Sequence, residues 1–374
     1  MLERDSMIDI GKGIGSILVI LGHTKVTFLR LAIFIDSFHM PFFFILSGMV
    51  INLNYSISQF LNKKIKSLLI NYYILNIILL IWRQIINNPL KCFKKPKIYT
   101  RFFKQIFWCA PPYYYYNWFI MSLFNTEIIF FIFYKILRIV YKKFEKKFLN
   151  FHSSKIFIKI YYLIFPILSL FLLKHSFYFS FNNFKKNKRR YYFCLDLIPL
   201  NSFFLVIGCY LKYYKNFFKF ITNRYFGLFY FFITYYYNKT KKRRLSYVFS
   251  ENNNFLHFLI TSISGSLFLL SICQYIKKNI ILEYIGKNSL IFYAFHSKIS
   301  LKFFEKLCHS FGDLSINFKN PIFKFLFVNI GTIIHLLFIS YIINTCFPYL
   351  LNITSLFSFY EFKYLTLNSK NKRN

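Results

Sequence analysis

Ile8-Asp9-Ile10-Gly11-Lys12-Gly13-Ile14-Gly15-Ser16-Ile17-Leu18-Val19-Ile20-Leu21-Gly22-His23 is an apolar run interrupted only by Asp9, Lys12, Ser16 and His23. Helical residues advance about 100° each, so Lys12 and His23, eleven apart, fall within about 20° of each other and roughly 16 Å apart along the axis. Asp9 and Ser16 join the same stripe. Each ionisable group inside a bilayer costs about 2.5–3.5 kcal/mol on insertion scales. A helix with three of them on one side lines something other than lipid.

The rest of the chain agrees. Of 374 residues 56% are hydrophobic, and the mean hydropathy is +0.41. Apolar runs long enough to span a bilayer recur along it, the pattern of a polytopic helical membrane protein. About ten spans are expected, near 8–29, 33–53, 65–83, 117–140, 156–173, 191–212, 216–237, 255–275, 281–303 and 322–351. The fold class is therefore all-α, a single multi-pass membrane domain over 1–374. No small-residue cleavage site follows the first run, so that run is expected to be retained. No internal repeat is visible. Lysine and arginine load the loops of both sides about equally, which leaves the positive-inside rule silent on orientation.

The net charge of +37 rests on 49 basic against 12 acidic residues. Phe, Tyr, Lys, Asn and Ile are all over-used, and A+T-rich codons account for much of that. The basic residues are spread among spans and flank them, where snorkelling cations sit. Clustering on one soluble face is absent, which argues against nucleic acid as a partner. The seven cysteines show neither CxxC nor a disulfide spacing and read as small apolar residues.

The second run opens Phe38-His39-Met40-Pro41-Phe42-Phe43-Phe44 and continues to Ser47-Gly48. Proline suits a first helical turn, which puts His39 at or just before a helix start. Ser47-Gly48 offers a small-residue face for close helix approach. His23 and His39 flank one short connection, so antiparallel packing brings both imidazoles to the same end. Neutral imidazole accepts a proton near physiological pH and suits activation of a hydroxyl. An ammonium such as Lys12 suits an anionic group, although Asp9, three residues earlier, equally serves to neutralise it. Lys12, His23 and His39 are expected to face one solvated pocket. Glu127 and Asp196 are intramembrane carboxylates, functional by default, yet one polar helix contact accounts for either. His296 follows the polar stretch Gly286-Lys287-Asn288-Ser289 and is a further candidate. His257 and His335 read as packing residues, and Trp118 with Tyr113–Tyr116 as an interfacial aromatic belt.

These motifs together resemble the start of the membrane acyltransferase 3 family, nearest to fucose and exopolysaccharide O-acetyltransferases. Glu283-Tyr284-Ile285-Gly286-Lys287-Asn288-Ser289-Leu290, ending in His296, is similar to the family's late segment, and Asn117-Trp118-Phe119 to its middle. The resemblance runs end to end and implies ten spans. It implies transfer of an acyl group, usually acetyl, from acyl-CoA to a carbohydrate hydroxyl at a cell membrane. His23 and His39 would be catalytic. Lys12, Lys63 and Lys66 would hold the donor, each a lysine where the family commonly has arginine, and Asn71 replaces a usual proline. No metal is implied. Asp9, Ser47, Glu127, Asp196 and His296 complete the candidates. The rival reading is a transporter or exporter of a polysaccharide or small acid, because intramembrane ionisable residues also serve proton relays. A copy that keeps the fold without the activity is a third.

Overall fold

The computed structural model describes residues 6–24, 28–87, 117–148, 192–239, 255–276, 278–312 and 320–346. Among the described residues every regular element is helical. In chain order they are α1 (Ser6–His23), α2 (Leu29–Asp36), α3 (His39–Val50), α4 (Ile57–Lys64), a π-helical turn (Ile65–Leu69), α5 (Ile70–Asn87), α6 (Trp118–Phe148) and a 3-10 turn (Tyr192–Leu197). Then come α7 (Ile198–Tyr213), α8 (Lys215–Ile221), α9 (Arg224–Lys239), α10 (Phe255–Tyr275), α11 (Ile280–Lys287) and α12 (Ser289–Phe295). A second π-helical turn (His296–Leu301), α13 (Lys302–Gly312) and α14 (Pro321–Cys346) follow.

Six helical stretches among these residues are long and apolar enough to cross a membrane: Ser6–His23, Leu29–Val50, Trp118–Lys143, Phe193–Tyr213, Phe255–Tyr275 and Pro321–Cys346. The chain is thus an all-α, multi-pass membrane protein, and among the described residues six of the expected runs stand as helices of spanning length. The run at 281–303 breaks into α11, α12 and a π turn where Lys287 and Asn288 interrupt it. The run at 216–237 breaks into α8 and α9 at Thr222 and Asn223. The run at 156–173 lies outside the described residues.

Local signals set several helix ends. Ser56 forms a capping box with Gln59 at α4, and the Asn279 side chain accepts from the Leu282 amide (3.0 Å) at α11. Both satisfy first-turn amides that a helix leaves without partners. At the other end of α3, Lys212 Nζ donates to the Ile51 carbonyl (2.8 Å) and Lys135 Nζ to that of Leu53 (3.0 Å).

Two glycine-mediated contacts hold the framework. Lipid supplies no hydrophobic drive between helices, so close backbone approach is what packs them. Gly13 lies against the Leu282 carbonyl and Gly286 against that of Asp9, so a Cβ on either would collide with backbone. This joins α1 to α11. Gly48 and Gly208 lock α3 to α7 in the same reciprocal way, against the Leu205 and Ile45 carbonyls. The close approach expected at Ser47-Gly48 is therefore real, and the glycines of the two sequence motifs are there for packing. Of the described cysteines, Cys194, Cys209, Cys273 and Cys308 are buried thiols.

Candidate active site

A cavity of about 240 Å³ runs between α1, α3, α6 and the α11–α12 break. At one end stand Lys12, Lys64, Lys287 and Glu127; at the other, Val19, Phe43, Phe119 and Tyr293. Ser16 and Ser47 line it between them. Glu127 is the buried anchor of the charged end. Its carboxylate accepts from Ser47 Oγ and pairs with Lys64 Nζ at 2.7 Å. Lys287 Nζ also lies 3.9 Å from the Glu283 carboxylate, and the lining itself, with three ammonium groups and one carboxylate, is net positive, a setting for an anion.

Just past the far end the three histidines cluster. The His23 ring centroid lies 6.3 Å from that of His39 and 5.1 Å from that of His296. His39 and His296 are buried, at 6% and 1% exposure, whereas His23 is exposed. In each ring Nδ1 contacts a backbone carbonyl: Val19 O at 2.8 Å for His23, Ile35 O at 2.9 Å for His39 and Tyr293 O at 2.6 Å for His296. A carbonyl only accepts, so Nδ1 carries the proton and Nε2 is the basic nitrogen of each neutral imidazole. A basic Nε2 is what general-base activation of a hydroxyl requires.

The two π-helical turns among the described residues both adjoin this site. Lys64 precedes Ile65–Leu69, and His296 opens His296–Leu301. Such turns are rare and are frequently found at functional sites.

The sequence candidates divide accordingly. Lys12, Ser47 and Glu127 line the cavity, and His23, His39 and His296 meet beyond it. The expectation that Lys12 shares one pocket with both imidazoles is not met: Lys12 lines the cavity, and neither His23 nor His39 does. Asp9 is buried at the α1–α11 contact, where its carbonyl faces Gly286. Asp196 sits half-buried in the 3-10 turn. Lys63 is exposed and turns to Tyr55, with Nζ 3.3 Å from the hydroxyl. That hydrogen bond and the lysine charge hold the Tyr55 hydroxyl below its usual range. Lys66 is half-buried outside the lining; Lys64, between the two expected lysines, is the one that enters. His257 packs as expected, its Nε2 2.7 Å from the Tyr237 carbonyl. Trp118 is buried against Phe119 rather than placed in an outer belt, and Tyr113–Tyr116 lie outside the described residues.

Sequence reasoning passed over Lys64, Lys287, Phe43, Phe119 and Tyr293. The signal for the rings was spacing: Phe43 and Tyr293 each stand about one helical turn from a candidate histidine. Among the described residues no group of three or more His, Cys, Asp or Glu side chains has the geometry to hold a metal ion.

A family model described as an acyltransferase domain, acyltransferase 3, matches residues 5–351. The chain belongs to the membrane acyltransferase 3 family. No curated protein and no solved structure matches it. In this acyltransferase the cavity lysines and the three imidazoles stand on opposite sides of Phe43, Phe119 and Tyr293.

Proposed function

We propose that this acyltransferase moves an acetyl group from acetyl-CoA to a carbohydrate hydroxyl, in the plasma membrane. One observation carries the reading: a net-positive cavity ends one helical turn short of a cluster of three imidazoles. The donor's phosphates meet Lys12, Lys64 and Lys287, and its thioester points toward the rings. The acceptor approaches from the exposed side of His23. His23 Nε2 takes the proton of the attacking hydroxyl, whose oxygen adds to the thioester carbonyl. Collapse of that adduct expels the CoA thiolate, which takes up a proton. His39 and His296 orient the acceptor and share the proton. Lysine supplies the charge that phosphate needs without the two-pronged grip of arginine.

The test uses protein purified into nanodiscs with radiolabelled acetyl-CoA and a panel of oligosaccharides, the products read by mass. A gain of one acetyl unit that is lost in His23→Ala supports the proposal. Retention of full transfer in that variant removes His23 from the chemistry. Substrate movement across sealed vesicles without any acylated product would favour transport.

A further inference from the structure

The cavity is closed toward the imidazoles by aromatic rings. Phe43 and Phe119 have centroids 5.6 Å apart, Phe119 and Tyr293 5.3 Å, and Tyr293 and His296 6.0 Å. Val19 is four residues before His23, Phe43 four after His39 and Tyr293 three before His296. On three helices, therefore, the closing residue lies about one turn, or 5.4 Å, from a histidine. Lys12 is seven residues below Val19, about 10 Å along α1. The phosphopantetheine arm of CoA is longer than this when extended, so a donor anchored by its phosphates at the lysines meets the rings with its acyl end once the arm is bent.

The rings have little room to retreat. A Cβ on Gly15 would lie 2.8 Å from Phe43 Cζ, so the Phe43 ring already fills the space on the α1 side. Behind Phe119 stand Phe44, with centroids 5.3 Å apart, and Trp118, at 6.2 Å edge-on. Close-packed interiors feel a change of even one methylene, and one methylene too many in such a pocket is worth about 10–200-fold in discrimination.

We propose that Phe43, Phe119 and Tyr293 together gauge the acyl group, passing acetyl to the histidines and rejecting longer chains. This rests on the acyl-CoA reading above and carries it on to donor specificity. Phe43 is the part of the gauge that substitution can reset, because the residue at position 15 fixes how close its ring lies to α1.

The experiment is a donor competition. Wild-type protein in nanodiscs receives acetyl-, propionyl-, butyryl- and hexanoyl-CoA at equal concentration, with product masses giving the relative rates. Wild type should lose about tenfold per added methylene. Phe43→Leu and Phe119→Leu should each raise the butyryl-to-acetyl ratio about tenfold, and Gly15→Ala, which presses the Phe43 ring toward Phe119, should lower the propionyl-to-acetyl ratio. Wild-type use of hexanoyl-CoA within about threefold of acetyl-CoA overturns the proposal. So do unchanged ratios in Leu variants that still transfer acetyl. If those variants do not fold, binding of non-reactive thioether analogues to wild type decides. Affinity that falls with chain length supports the gauge, and affinity that stays flat overturns it. Failure of wild type to bind CoA or to transfer any acyl group is a separate result, which removes the acyl-CoA reading and the gauge with it.

Discussion

Glu127→Gln should move two measured quantities in opposite directions. The carboxylate pairs with Lys64 at 2.7 Å, with side-chain exposures of 1% for Glu127 and 14% for Lys64, and it also accepts from Ser47. Breaking a buried pair costs about 3–5 kcal/mol. Glutamine keeps an acceptor for Ser47, and the Lys64 ammonium can turn to water in the cavity, so the expected loss is about 1–3 kcal/mol. The same substitution removes the negative charge among the charged groups of the cavity lining. At an effective dielectric of about 20 and a distance of about 8 Å, that charge repels each unit of ligand charge by ~2 kcal/mol before screening. With screening, CoA should bind about tenfold tighter, or about 1.4 kcal/mol. The assay is thermal unfolding in detergent, followed by calorimetric titration with CoA. Lower stability with tighter binding is expected. If Glu127→Gln instead loses CoA affinity as fully as Lys64→Met does, the carboxylate acts by holding the ammonium in place, and the electrostatic reasoning is refuted.

Lys64→Met should weaken CoA binding about tenfold or more, whereas Lys63→Met, at an exposed position turned to Tyr55, should change it less than about twofold; the same titration separates them. His23→Ala should lower the rate about 10²–10⁴-fold with little change in unfolding temperature, because the ring is exposed; a large drop in that temperature would assign it a packing role instead. Gly286→Ala should destabilise by about 1–3 kcal/mol by driving a methyl into the Asp9 carbonyl, read as unfolding temperature in detergent, and a neutral result would mean α1 and α11 separate without cost. Ser56→Ala should cost about 1 kcal/mol through loss of the α4 capping box, measured the same way.

The legible part of this protein was its local patterning. The polar stripe of α1 placed Lys12 and Ser16 on the cavity, and Pro41 placed His39 at a helix start. The short link between the first two runs placed His23 beside His39. What escaped was whatever depends on register or partner. The π turn at Ile65–Leu69 and the pairing with Glu127, 63 positions further on, select Lys64 over Lys63 and Lys66. No spacing rule on one helix contains that choice. Hydropathy also read 281–303 as one span, although Lys287 and Asn288 end α11 so that α12 can restart and bring Tyr293 and His296 inward. Glu127 was visible only as a buried carboxylate in an apolar run, and its meaning came from α3 and α4.

The contact of Gly13 with α11 has a consequence for biosynthesis. The wall carrying Lys12 is completed at Leu282, which the ribosome adds 269 positions after Gly13. At roughly 5–20 residues per second this is a delay of about 13–54 s. Throughout that interval the nascent first segment sits in the translocation machinery or the bilayer with its ionic stripe lacking the late segment it docks on. A chain halted before residue 280 should therefore be a target for quality-control proteolysis, however well its early segments have inserted.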